Sequence, residues 1–578
     1  MLEKYLIKKY DLPIDNIIIT PCDIFNMYSN FTEYKNNLLN FTRDSLVSNY
    51  KLTEIEETII YYDTHKYRYL YYLISQTYID NYFHEVNFII SNTNNLSNSN
   101  DDYYFIRKFN RLYDQKNMIL SMGEHIISIF EKLIKKEYNK SDKYDLIKFY
   151  NEKSIKKFID SLKYDLPDLT KINNLIIREK IIDFYENYLM VSVKKISEYL
   201  NKHLLNGSFD SNKYNSNTNT DKKYGLSNFD PKLYMFFIEY QTGLKFNKTE
   251  EIDFLYKWAF EYLDYNIKKK IEVIKKIYNL SDSDIINLTN STNQLAKQVE
   301  TNISDLVIFK QLSKIINSDK KYSFATKEEF VDLYVKAVDN NSKLLIKYNL
   351  PYAYKCTVDV FNNKNFSTGY YSDNCFYLNV ANWSNCKKYE IKSLSLHESY
   401  PGHHTQIDIS HNFAKNKYLL TLYNQLFNAF AEGWALFAES LSDDISINEV
   451  DYLSDYFGIL ESDTLRIFRI IADIDLHYYG KTPEETIKKM ENYCSFDDET
   501  ISTEIYRYEV LPAQALCYKI GQNVFMKIYI KIKNSLKKDI NIKINDYIMI
   551  ETYKKILLNG EISLSKLLDK YNIKFFYQ

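Results

Sequence analysis

Glycine and proline are scarce, at 11 and 8 in a chain of 578 residues. That poverty fits long helices joined by few turns. The six cysteines (Cys22, Cys356, Cys375, Cys386, Cys494 and Cys517) show no CxxC spacing. This excludes a disulfide framework and a cysteine zinc finger; a Cys375–Cys386 bridge is the remaining alternative to reduced, partly buried thiols. No apolar run reaches the roughly 18 residues of a spanning helix. The start, MLEKYLIKKYDLPID, lacks the apolar core and cleavage site of a secretory signal. The expectation is a cytoplasmic protein with no membrane partner. Nor is charge of either sign in excess: 74 Lys plus Arg face 76 Asp plus Glu, for a net −2. Without a basic surplus there is no electrostatic case for a nucleic-acid partner.

Tyrosine is abundant, with 56 residues, beside plentiful Asn, Ile and Lys. This bias matches AT-rich codon usage, so the tyrosines are not read as a binding stripe. A chain this long exceeds one ordinary hydrophobic core, so more than one compact unit is expected. Residues 1–335 read as successive amphipathic helices, over Asp44–Tyr62, Tyr67–Ile90, Tyr103–Glu137 and Lys171–Leu205, with apolar residues at helical spacing. Asn/Ser-rich tracts at 91–102 and 207–223 interrupt them as surface loops or disordered insertions. The basic stretch Tyr265–Ile277 reads as a solvated helix face. The second region, 336–578, begins with aromatic and β-branched texture over Leu344–Val360. A turn and strand are expected in Gly369–Asn385, and helices resume near Ile391. The fold class is mainly α with a small sheet beside the site helices.

Five of the nine histidines fall between residues 397 and 477. The core of the group is LHESYPGHHTQ, residues 396–406. A His-Glu pair followed by a second His on the same helix face is the kernel of helix-borne zinc sites, where two imidazoles hold the ion and the Glu activates water. Here the usual i+4 position is Pro401. On an unbroken helix His403 would stand about 240° around from His397, and His404 about 10.5 Å along the axis. Neither could share one zinc. Pro401-Gly402 must therefore break the helix and swing His403 back towards His397, with His404 as the alternative ligand. The segment AFAEGWALFAE, residues 429–439, puts Glu432 and Glu439 on one helix face. Glu432 is the candidate third ligand, against an ordinary amphipathic helix with solvated glutamates, and Glu439 is either such a solvated residue or a partner for a ligand histidine. Gly433 allows close helix packing. Candidate oxyanion donors are His477, Tyr508 and Tyr518. Arg507 is a candidate for a substrate carboxylate or for a local pair with Glu504.

These ordered segments resemble the domain-of-unknown-function 885 family. They are Gly369-Tyr370-Tyr371, HESYPGHHTQ (His397–Gln406), EGWALFAE (Glu432–Glu439), RIIADIDLH (Arg469–His477) and RYEVLPAQALCYKIG (Arg507–Gly521). They cover roughly residues 365–525. Phe437 stands where that family often has Tyr, and Ala513 where it often has Gly. The resemblance implies kinship with helical oligopeptidase and carboxypeptidase zincins of the gluzincin type. It implies Zn2+ held by His397, His403 and Glu432, with Glu398 as general base. Tyr371, Asn379 and Arg507 are the candidate substrate-binding residues, and the strand around Phe376–Asn382 is expected to pair with an extended peptide. The expected activity is hydrolysis of short peptides. The alternatives are a zinc-dependent amide or ester hydrolase of a small molecule, and an inactive helical interaction protein. Oligomeric state has no signal in the sequence.

Overall fold

The computed structural model describes residues 103–135, 169, 174–205, 225–228, 231–290, 305–362, 368–372, 374–381, 383–414, 427–440, 452–494, 496, 498–536 and 551–575, with Val86 alone before them. The helices expected at Asp44–Tyr62 and Tyr67–Ile90 lie outside these residues apart from Val86, and both Asn/Ser-rich tracts lie outside them. Chain contacts define two compact units, Met1–Lys222 and Lys223–Gln578.

In the first unit the helical spacing yields helices Tyr103–Asp114 and Lys116–Lys135. A second run, Leu175–Phe184 and Met190–Leu200, is joined by a π-helical turn at Tyr185–Leu189. Ile119, Met122, Ile181, Phe184, Leu189 and Ile196 form its buried stripe. The Ser192 hydroxyl donates to Ile119 O at 2.8 Å, opposite Gly123, where a Cβ would meet Ser192 at 3.0 Å. A small residue on each helix lets them approach.

The second unit carries α1 (Pro231–Thr242), α2 (Glu250–Tyr278) and α3 (Lys327–Lys347). The division expected at 335/336 falls inside α3, which is one continuous helix and also takes in Leu344. Next come β1 (Thr357–Phe361), β2 (Gly369–Ser372) and β3 (Cys375–Asn379). The sheet order is β1-β3-β2, with β3 parallel to β1 and antiparallel to β2. The strand expected to receive a peptide is thus the central one. Both of its edges are already hydrogen-bonded, so it cannot be the added-strand site.

The helices that frame the site include α4 (Ile391–Glu398), α5 (His403–Asn412), α6 (Asn428–Ser440), α7 (Tyr452–Ile474) and α8 (Asp498–Val510). Then comes α9 (Cys517–Leu536). On α2 the buried residues Ile252, Leu255, Ala259, Leu263, Ile267 and Ile274 recur at three- and four-residue spacing, and this face packs on α7. The basic stretch on α2 is not wholly solvated. Lys270 is fully buried, 3.2 Å from Glu461 of α7 and over the Phe309 ring. Helix α6 is apolar nearly all round and buried nearly all round. Its Trp434 packs on Phe437, Phe525 and Tyr553. A Cβ on Gly433 would meet Gly521 Cα at 2.4 Å, so α6 and α9 touch backbone to backbone there. Among the described residues no helix is long and apolar enough to cross a membrane, and the five described cysteines are buried thiols.

Candidate metal centre

Helix α4 ends at Glu398 and α5 begins at His403. Between them Ser399 and Gly402 leave helical backbone geometry, with ψ of −113° and −132°. A Cβ on Gly402 would stand 2.0 Å from His397 O and 2.3 Å from Leu396 O, so only glycine lets the chain double back against the end of α4. Trp434 Nε1 donates to Pro401 O at 2.9 Å and ties the break to α6. The ring centroids of His397 and His403 come to 4.7 Å, nearly perpendicular.

Glu432 of α6 faces this pair. His397 Nε2 and His403 Nε2 each lie 3.4 Å from Glu432 Oε2, and one ligand atom from each residue lies within 4.8 Å of the others. Bonds of about 2.0–2.1 Å to one tetrahedral ion hold neighbouring ligand atoms ~3.4 Å apart. An N–H···O hydrogen bond prefers about 2.9–3.0 Å. The donor set and its spacing therefore fit an ion between the groups better than bonds among them. His404 turns to other partners, with Nε2 3.0 Å from Tyr354 O and Nδ1 3.1 Å from the Tyr371 hydroxyl. Burial lowers its pKa to about 4, so it is neutral, with Nε2–H donating to Tyr354 O and Nδ1 accepting from Tyr371.

Behind the cluster, His397 Nδ1 lies 2.7 Å from Glu439 Oε1. Glu439 also accepts from the Ser393 hydroxyl and, at 2.9 Å, from Ser462, and Arg466 stands 3.8 Å away. Burial alone would lower the His397 pKa, but Glu432 and Glu439 outweigh it and raise it to about 9. Burial would raise Glu432, yet the two histidines hold it well below the usual carboxylate range. Glu398 is buried beside both histidines, and desolvation raises its pKa against their pull. Ser393 and Ser462 escaped sequence reading. Ser393 stands one turn before His397, a spacing that marks it as a neighbour on the same face.

Helix α7 and the π-helical turn that follows it, Asp475–Tyr479, carry Arg469, Asp473 and His477 four residues apart. Arg469 and His477 hold α8 itself, and Asp473 holds the segment after it. Arg469 donates to Glu504 at 3.0 Å and to the Tyr508 hydroxyl at 3.2 Å. Asp473 accepts the Ala513 N–H at 3.0 Å and the Tyr234 hydroxyl. His477 Nε2 lies 2.9 Å from Tyr508 O, and its Nδ1 accepts from Leu226 N at 3.5 Å. Both His477 nitrogens thus face backbone groups, and burial lowers its pKa to about 4. With no proton to spare it is a pin rather than an oxyanion donor. The Tyr508 hydroxyl is likewise committed, donating to Glu504.

Tyr518 differs from these two. It lies one turn before Gly521, where α9 meets Glu432's neighbour Gly433, and burial first and Glu432 second raise its pKa. Arg507 pairs with Glu504 at 3.3 Å. Asn379 is buried in β3, where its side-chain oxygen accepts the Ala381 N–H at 3.1 Å. Tyr371 stands against His404.

A sequence model of the family described as "Bacterial protein of unknown function (DUF885)" matches residues 255–544. Two solved structures share the fold. One is a candidate lipoprotein from Colwellia psychrerythraea, with TM-score 0.59, 15% identity, and coverage of 99% of this chain and 95% of that one. The other is a lipoprotein of unknown function, also described as a candidate, from Shewanella oneidensis, with TM-score 0.55, 14% identity, and coverage of 96% and 93%. No curated protein matches.

Proposed function

The chain belongs to the DUF885 family, and from that premise we propose that it is a zinc-dependent metallopeptidase acting on short peptides. The observation that carries the reading is the convergence of His397 and His403 on one oxygen of Glu432, each at 3.4 Å. A His/His/Glu set with a fourth position left for substrate is the catalytic rather than the structural zinc pattern. The reading extends to a zincin-like architecture. A cytoplasmic setting goes with it, supported by the buried thiols.

Zinc held there supplies Lewis acidity at the scissile carbonyl and to the attacking water. Glu398, next to a ligand in sequence and buried at its side, takes the water proton and returns it to the leaving amine. Its upward-shifted pKa suits a group that must act as base and then as acid. Glu439 fixes the His397 ring from behind, so that Nε2 faces Glu432. Tyr518 is the remaining candidate to donate to the developing oxyanion. Glu398→Gln is expected to keep one zinc per chain while turnover of a short peptide falls by about 10²–10⁴-fold. Undiminished turnover in that variant removes Glu398 from the mechanism.

A further inference from the structure

Two guanidinium groups share one carboxylate beside this site. Arg469 Nε and Nη2 lie 3.0 and 2.9 Å from Glu504 Oε2, and Arg507 Nη2 lies 3.3 Å from the same oxygen. Tyr508 donates to that oxygen as well. A guanidinium carries five N–H donors in a planar fork, so these contacts leave capacity unused. Two of the unused atoms are buried without a hydrogen-bond partner, Arg469 Nη1 and Arg507 Nε. Arg469 is only 7% exposed, whereas the Arg507 side chain is 31% exposed and open to a ligand. Asp473, also in electrostatic reach of Arg507, is already committed to Ala513 N and Tyr234. A surplus positive charge with unmet donors at a partly open position is a receptor for an anion.

Its place relative to the metal-ligand candidates follows from Tyr518. The Arg469 guanidinium lies 4.2 Å above the Tyr518 ring. Tyr518 is within electrostatic reach of Glu432 on one side and of Arg469, Arg507 and Glu504 on the other. Gly521, one turn beyond Tyr518, packs on Gly433 beside Glu432, so one turn of α9 runs from the cationic pair to the neighbourhood of that candidate ligand.

We propose that Arg507, backed by Arg469, receives the C-terminal carboxylate of the peptide, so that the enzyme removes residues from that end. This rests on the peptidase reading above. Water adds across the last peptide bond: a C–O bond forms at the carbonyl carbon, the C–N bond breaks, and the water proton ends on the departing amine. The products are a shortened peptide acid and a free amino acid, with no redox partner. The planar fork matches a carboxylate two oxygens at a time, which a lysine in its place does not.

A peptide carries a carboxylate at its end or on an acidic side chain, and three probes separate them. They are N-acetylated tri-alanine as the free acid, the same peptide as the C-terminal amide, and an N-acetylated Ala-Ala-Glu amide. Binding is read by calorimetry on the zinc-loaded full chain carrying Glu398→Gln. The free acid is expected to bind at least about tenfold more tightly than either amide. Adding Arg507→Gln should bring the acid down to the level of the amides and leave the amides unchanged. Equal binding of acid and amide overturns the proposal without any arginine variant. So does a preference that survives Arg507→Gln, or a Glu amide that matches the acid. In the chain with Glu398 intact, turnover of acid and amide alike keeps the peptidase reading and overturns this one. Acid preference without turnover of any peptide does the reverse, keeping the carboxylate receptor and overturning the peptidase.

Discussion

His397 has two ring nitrogens, and the fold uses them for different tasks. Nδ1 is held by Glu439, which fixes the ring, while Nε2 faces Glu432. Single residues of this kind are legible when partners sit at helical spacing, as Glu439 does seven residues beyond Glu432. They are not legible when the partner comes from another helix. Glu504 is such a residue in its pairing with Arg469 of α7, whereas its local pair with Arg507 could be read. Burial alone would raise its pKa, but Arg469 and Arg507 outweigh this and lower it to about 2. A depressed carboxylate stabilises the fold fully above its unfolded pKa of about 4.5, and loses that contribution as pH falls towards 2. Glu504→Gln should therefore be less stable than the parent at pH 7, with the gap narrowing between about pH 4.5 and 2. Thermal melts across that range check it, and a gap that stays constant contradicts the assignment.

Among the elements, α7 shows how a helix can position a site without entering it. Arg469, Asp473 and His477 stand in register along one side and hold, in turn, Glu504 with Tyr508, the Ala513 N–H, and Tyr508 O. The sequence pattern announced a constellation, and His477 looked catalytic because histidine usually earns that suspicion. Its role depends on who faces each nitrogen, which no spacing encodes. Ala513 is held at φ +65°, in the left-handed region where an L side chain is strained by roughly 1–2 kcal/mol. Part of that relief is offset by the greater entropy of an unfolded glycine. Ala513→Gly is thus expected to raise stability by about 0.5–1 kcal/mol in denaturant melts, and a loss of stability would contradict the strain. The break between α4 and α5 was legible, because a regular helix forbids the His397–His403 approach and Pro401-Gly402 stands where the break is needed.

For the whole molecule, the mainly helical class and the small sheet could be read from periodicity and from the poverty of glycine and proline. The order of strands could not, since β3 sits between β1 and β2 through pairings that local alternation does not record. The buried Lys270 was equally hidden. A lysine in a basic stretch reads as solvated until a glutamate 191 residues away is brought to 3.2 Å. The compact units divide at Lys222/Lys223, while α3 runs unbroken through the point where sequence texture changes. In the second unit, sequence and fold together come down to a single local demand: His397, His403 and Glu432 must meet while His404 turns away. Metal content of the purified full chain tests this directly, alongside His403→Ala and His404→Ala. The account predicts one zinc per chain in the parent and in His404→Ala, and its loss in His403→Ala. A parent without zinc, or zinc lost with His404 and kept without His403, would contradict it.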